Sequence, residues 1–110
     1  MANPKKDVLQ GTLTLLVLKA LESGAKHGYG ITKHIEHISE DALRIEEGSL
    51  YPALHRMEQE RWIRSEWAIS ESNRRARYYS LTAAGRKVLA TEQEDWRKLT
   101  AAVGRVLKLA

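Results

Sequence analysis

The chain has 110 residues, 18 Lys and Arg against 14 Asp and Glu for a formal net charge of +4, and no cysteine. That length builds one domain with a core near the lower limit of what is stable alone, and the absence of thiols excludes a disulfide framework, a cysteine nucleophile and a zinc knuckle, so a reducing, cytoplasmic location is expected. No apolar run reaches the roughly 18 to 20 residues of a membrane span, and the basic pair Lys5-Lys6 is followed by no small-residue cleavage site, so neither a membrane partner nor export is expected.

Leu9, Leu13, Leu16, Val17, Ala20 and Leu21 recur at helical spacing until Ser23-Gly24, which predicts a first amphipathic helix over about 6–22. Gly28, Tyr29 and Gly30 lead into Ile31, Ile35 and Ile38, the apolar face of a shorter second helix that leaves Lys33 and His34 on other faces. After the weakly patterned stretch Ser39 to Glu47, Ser49 is placed to cap a third helix. Its early Pro52 is tolerated because first-turn amides have no acceptor inside the helix. Leu50, Leu54 and Met57 form the buried stripe of this helix, and Ser49, Tyr51, His55 and Arg56 fall on its other faces. From Trp62 to Ile69 the period becomes alternating, with Ile63, Trp67 and Ile69 on one side and Arg64 and Glu66 on the other, which predicts a strand. Ser70 to Arg75 is a polar turn around Asn73, which tolerates positive φ, and Ala76 to Leu81 is a second strand rich in aromatic residues. Thr82 caps a last helix of about 27 residues, some 40 Å long.

The resulting fold class is mainly α with a small β-hairpin. Residues 1–82 have the outline of a winged helix-turn-helix with the third helix in the recognition position, and residues 83–110 form a long C-terminal dimerisation helix. The second assignment rests on a near-heptad seam. Leu89, Trp96, Val103 and Ala110 lie seven apart, with Glu92, Leu99 and Val106 between them and one polar break at Glu92. So small a body cannot cover such a helix, so a two-fold homodimer is expected, with Leu9, Leu13, Leu89, Trp96, Leu99, Val103 and Val106 at its interface.

Basic residues gather in the middle of the chain: Gly48 to Lys87 holds eight Lys and Arg against four Asp and Glu. Arg74, Arg75 and Arg77, with Asn73, lie on or beside the exposed turn, where guanidinium groups reach phosphates or enter a narrow minor groove. Ser49 and Tyr51, near the start of the third helix, can donate to phosphate with help from the helix dipole, and His55 and Arg56 are long enough for base edges. Tyr51 is equally well read as a core residue with a satisfied hydroxyl. Lys33 completes the candidate DNA contacts. His34 and His37 have a spacing that metal ligands use, but no third ligand follows, so neither a metal nor another cofactor is expected. No Ser/His/Asp order, glycine-rich phosphate loop or paired-carboxylate cleft points to an enzyme, and Glu46-Glu47 reads as an acidic helix start.

Four stretches in this order resemble the PadR family of bacterial transcriptional regulators: Gly11-Thr12-Leu13, His27-Gly28-Tyr29-Gly30-Ile31, Glu47-Gly48-Ser49-Leu50-Tyr51-Pro52-Ala53-Leu54 and Tyr78-Tyr79-Ser80-Leu81-Thr82-Ala83-Ala84-Gly85. The resemblance implies a winged helix whose third helix enters the major groove, whose wing touches the backbone or minor groove, and whose last helix pairs two protomers. The chain departs from the family pattern in three places. Arg61-Trp62 stands where many relatives have a glycine, which implies a strained or longer turn. Asn73 replaces the usual wing-tip glycine, and the single terminal helix resembles the short members, against a phenolic-acid response. Trp96 resembles in placement the tryptophan with which short, multidrug-responsive members sandwich planar aromatic compounds between protomers. Glu92 and Asp95 would attract a cation there, Leu99 and Val103 would close the gap, and a packed seam residue is the plainer reading.

The function read from the sequence is a sequence-specific, homodimeric DNA-binding regulator, a repressor, on a pseudo-palindromic operator whose half-sites lie about 34 Å apart, with a planar aromatic effector as a further partner. The alternative is a winged-helix module that binds only protein, whose wing arginines would pair with local acids. Glu66 and Glu71 are the nearby candidates.

Overall fold

Apolar periodicity and turn chemistry together produce four helices and a small sheet. The computed structural model describes residues 4–109, with side chains described for residues 11–109. In chain order the elements are α1 (Pro4–Glu22), β1 (Lys26–His27), α2 (Gly28–Ile38), α3 (Glu47–Gln59), β2 (Ile63–Ile69), β3 (Arg75–Leu81) and α4 (Ala83–Leu107). Helix α1 runs through the middle of the body: Val17, Leu18 and Leu21 are buried, and it packs against α2, α3, α4 and β3. Ile31 and Ile35 of α2, Leu50, Leu54 and Met57 of α3, and Ile63, Tyr79 and Leu81 of the sheet close the core around it.

The expected hairpin gains a third strand. The sheet is antiparallel in the order β1-β3-β2, with Lys26 opposite Tyr79 and His27 opposite Tyr78. A two-residue strand is too short to show alternation, and pairing with the outer edge of β3 is what makes it one. It leads directly into α2, which begins at Gly28, earlier than expected. The His27 Nδ1 accepts from the Gly30 amide at 2.9 Å and caps that helix. Between β2 and β3, Asn73 takes φ 61 at the turn, as its sequence predicts.

Three details differ from the sequence reading. Helix α3 begins at Glu47 after Glu46, with no side-chain cap, so Ser49 lies inside its first turn and does not cap it. Trp67 and Ile69 share the side of Ile63 but are 56% and 64% exposed, because the hairpin extends beyond the core after Ile63. The turn after α3 is not longer. The Trp62 amide donates to the Met57 carbonyl at 3.0 Å and the Arg61 amide to Glu58 at 3.0 Å, a Schellman closure with Arg61 at φ 64, the position that favours glycine.

Helix α4 leaves the body within two turns. Thr82 caps it by accepting from the Gly85 amide at 3.0 Å, and Leu89 is buried against the core. Beyond Ala90 most side chains are exposed, and the radius of gyration is 15.1 Å, above the roughly 13 Å of a compact chain of this length. Leu13 and Leu89, expected at a subunit interface, are instead buried within the protomer at 7% and 2% exposure, because α1 and the start of α4 pack on each other. The side chains of Leu9 and Ala110 lie outside the described residues. Trp96, Leu99, Val103 and Val106 are 42%, 53%, 45% and 80% exposed, an apolar stripe left open among the described residues.

Candidate nucleic-acid interface

The stripe Leu50, Leu54 and Met57 turns one face of α3 into the core, so at 100° per residue Gly48, Pro52, His55 and Gln59 stand on the opposite, exposed face. The flanks differ. On the side toward α1, Arg56 donates to the Thr14 hydroxyl at 3.3 Å, and Ser49 is exposed above it. On the other side Tyr51 lies across Gly28 at the start of α2. A Cβ at Gly28 would come within 2.6 Å of the Tyr51 hydroxyl, so glycine there makes room for the ring. Tyr51 is 47% exposed, which removes the fully buried core reading for this residue.

Cross-strand register decides what the wing shows to this side. Ser65 stands opposite Tyr79, Trp67 opposite Arg77 and Ile69 opposite Arg75, and paired residues share a face. The inner face of the hairpin therefore grades from the buried Ile63, Tyr79 and Leu81 at its base to Trp67, Arg77 and Arg75 toward the tip. The Arg75 guanidinium lies 4.7 Å and that of Arg77 5.9 Å from the centre of the Trp67 ring, both within cation–π range. Burial pushes the Tyr79 phenol up, while Arg77 pulls it the other way.

Between this face and the start of α2 opens a groove of about 870 Å³. Its walls bring together Lys33 of α2, Tyr51 of α3, and Trp67, Arg74, Arg75 and Arg77 of the wing, with Glu71 as the acidic member. Lys33 lies 5.3 Å from the Tyr29 ring and 3.5 Å from the Glu36 carboxylate. Asn73 shapes the tip: its amide donates to the Ser70 carbonyl at 2.9 Å, and the Ser70 amide donates to Arg74 at 2.7 Å. Lys33, Tyr51, Arg74, Arg75 and Arg77 thus meet around one groove, while Ser49, His55 and Arg56 lie on the exposed and α1-facing sides of α3.

Sequence reasoning missed Glu58 and Trp67. Glu66 and Glu71 were the expected acidic neighbours of the wing arginines, but Glu66 pairs across the strands with Tyr78, on the opposite face from Arg77. The acid that does reach the wing is Glu58, 3.2 Å from Arg77 Nη2. Trp67 was legible only through register: once the turn is centred on Asn73, position 67 faces 77. Far from the groove, Trp96 borders a shallow concavity on α4 with Ala90, Gln93, Glu94, Arg97 and Thr100. Its acidic member, Glu94, is held by Arg97 at 2.7 Å and 3.0 Å. Glu92 and Asp95, the acids expected to attract a cation there, do not line it.

The sequence model described as "Transcriptional regulator PadR-like family" matches residues 17–91, from α1 into α4. An uncharacterized protein in a transposon of Streptomyces fradiae is 40% identical over 87% of this chain, which spans about 25% of that protein's length. A transcriptional regulator from Clostridium thermocellum superimposes with a TM-score of 0.80 at 29% identity, over 90% of this chain and 96% of that one. A PadR family transcription regulator from Clostridium difficile superimposes with a TM-score of 0.74 at 30% identity, over 86% and 97%. With the family match extending over all the elements that build the groove, the chain belongs to the PadR-like family of transcriptional regulators.

Proposed function

We propose that this regulator binds duplex DNA as a homodimer and represses transcription from a pseudo-palindromic operator. The observation that carries the reading is the convergence of Lys33, Tyr51, Arg74, Arg75 and Arg77 on one groove beside the exposed face of α3. A cationic wing next to a helix with an open polar face suits a division of labour: the wing holds phosphates and fixes register, and His55 and Arg56 read base edges. Ser49 and Asn73, exposed on the same two elements, add donors to the backbone.

The dimer is supported by α4. Trp96, Leu99, Val103 and Val106 form an exposed apolar stripe along a helix whose buried residues, Gly85 and Leu89, lie in its first two turns. Two-fold pairing through it would place two α3 helices in successive major grooves about 34 Å apart. Trp96 on such a pair offers a π-face to a planar aromatic effector, and binding there would bias the spacing of the two DNA-reading helices. Such a regulator works in the cytoplasm, beside its DNA. The rival reading as a protein-binding module finds one pair of the expected kind, Arg77 with Glu58, but on α3 instead of the wing, while Arg75 meets no carboxylate among the described residues and lies on the Trp67 ring.

Fluorescence anisotropy with a labelled duplex tests the reading. Replacing Arg74 and Arg75 with Ala is expected to weaken binding to all sequences alike and flatten the salt slope, by about 0.9 for each phosphate no longer neutralised. Replacing His55 or Arg56 with Ala is expected to reduce discrimination between operator and mutated sites by about 1 to 3 kcal/mol for each base that the side chain reads. Unchanged affinity in the wing variant contradicts the assignment.

A further inference from the structure

A two-stranded ribbon that projects from a small body is free to twist and bend unless something fixes its angle. Strand β1 pairs with β3 only at Tyr78 and Tyr79, near the base. At the same level, with Ser65 opposite Tyr79 and Arg77 one step nearer the tip than Tyr78, three polar side chains tie the inner face of the ribbon to α3. The Ser65 hydroxyl donates to Glu58 Oε2 at 2.7 Å, Arg77 Nη2 donates to the same oxygen at 3.2 Å, and Arg77 Nε donates to Ser65 Oγ at 2.7 Å. Helix, β2 and β3 each supply one member of this closed triangle. It is half-exposed, so its contribution to stability is small. What it fixes is an angle.

We propose that Glu58 sets the angle of the wing against α3 through Arg77, which makes Arg77 a positioning residue and leaves Arg75 as the wing's inner phosphate ligand. This role rests on the DNA-binding function proposed for the groove. Arg77 commits its Nε–H to Ser65 and an Nη2–H to Glu58, and these two bonds, of the five donors in its rigid fork, fix where its guanidinium points. Arg75 makes no such bond among the described residues and rests on the Trp67 ring at 4.7 Å. Because Arg77 approaches the same ring at 5.9 Å, the chain of contacts runs from Glu58 through Arg77 and Trp67 to Arg75. The wing arginine nearest α3 is thus the fastener, and the one nearer the tip is the hand.

The acid makes the proposal separable from simple charge effects. A carboxylate beside a phosphate-binding surface repels DNA, so removing it should by charge alone tighten binding to every duplex. A positioning role gives the opposite sign on the operator. The test compares wild type and Glu58→Gln on two probes: an operator selected from a random-sequence duplex library with the wild-type protein, and a random duplex of equal length. The expected result is operator binding weaker by about tenfold, with random-duplex binding unchanged or tighter. Arg77→Lys, which keeps the charge and removes the fork, is expected to behave like Glu58→Gln. The exchange of both residues, Glu58→Arg with Arg77→Glu, should restore operator affinity to within about threefold.

The free protein supplies a second readout that needs no DNA. The Trp67 indole N–H resonance should shift in Glu58→Gln, because the Arg77 guanidinium near its ring is released. Equal tightening on both probes, or an operator loss in Arg77→Lys without one in Glu58→Gln, overturns the positioning role. An unmoved indole resonance overturns the chain of contacts. A wild-type protein that binds no duplex while its indole resonance shifts in the variant removes the DNA reading and leaves the Glu58–Arg77 fastener standing.

Discussion

The Cα of Gly85, in the first turn of α4, lies so close to the Trp62 carbonyl that a Cβ there would overlap the carbonyl oxygen. The same oxygen accepts the Thr82 amide at 3.1 Å and the Thr82 hydroxyl at 3.0 Å. The start of α4 is thereby fastened to the turn that ends α3, so the helix that would pair protomers in the proposed dimer springs from the residues that fix the end of α3.

Gly85→Ala is expected to destabilise the protein by about 3 kcal/mol, the upper end for overpacking, because a backbone carbonyl cannot yield as a flexible side chain can. Urea unfolding followed by far-UV circular dichroism measures it. A variant as stable as the wild type would mean that α4 can shift on the body without cost.

The four helices were legible because each carries an apolar stripe at helical spacing, buried in α1 to α3 and largely exposed in α4, and the wing because the period changes at Trp62. Strand β1 was not legible, since His27 and Lys26 become a strand only by pairing with Tyr78 and Tyr79, fifty residues away in the sequence. For the same reason the partner of Arg77 was sought among wing residues and found on α3: Glu58 is 19 positions away, and only the packing of β2 on α3 joins them. Lys33 and Tyr51 were nameable as candidates, but their meeting with the wing at one groove depends on Gly28 leaving space for the Tyr51 ring. The burial of Leu89 within the protomer was not legible because a heptad count cannot tell which turns of a long helix its own body covers, and that of Leu13 because an apolar face on the first helix reads the same whether its own body or a partner covers it.

Arg61 occupies the left-handed position of the closure after α3, at φ 64. A side chain there costs about 1 to 2 kcal/mol, part of which glycine gives back through the entropy of the unfolded chain. Arg61→Gly is therefore expected to stabilise the protein by about 0.5 to 1 kcal/mol, read as a rise of a few degrees in melting temperature. A fall would show that the Arg61 side chain makes a contact worth more than the strain.

His34 is expected to contribute a pH dependence to stability. Burial, then Lys26 and His37 nearby, hold its imidazole below the usual histidine range. In the unfolded chain it protonates near pH 6.5, and in the folded protein only at lower pH, so the unfolded state binds the proton first. Stability is complete above about pH 6.5 and declines as the pH falls through the window down to the folded value. Urea midpoints measured from pH 7.5 to 5 should fall in the wild type and fall less in His34→Gln. Parallel curves would assign the decline to other groups.

Sedimentation velocity of the protein alone and with a labelled selected operator tests the proposed function most directly. The protein is expected to run as a dimer at micromolar concentration and to bind as two protomers per operator, with an affinity that drops by about a thousandfold or more between roughly 0.05 and 0.2 M salt. A monomer that binds one per duplex, or a complex indifferent to salt, would contradict the proposed function.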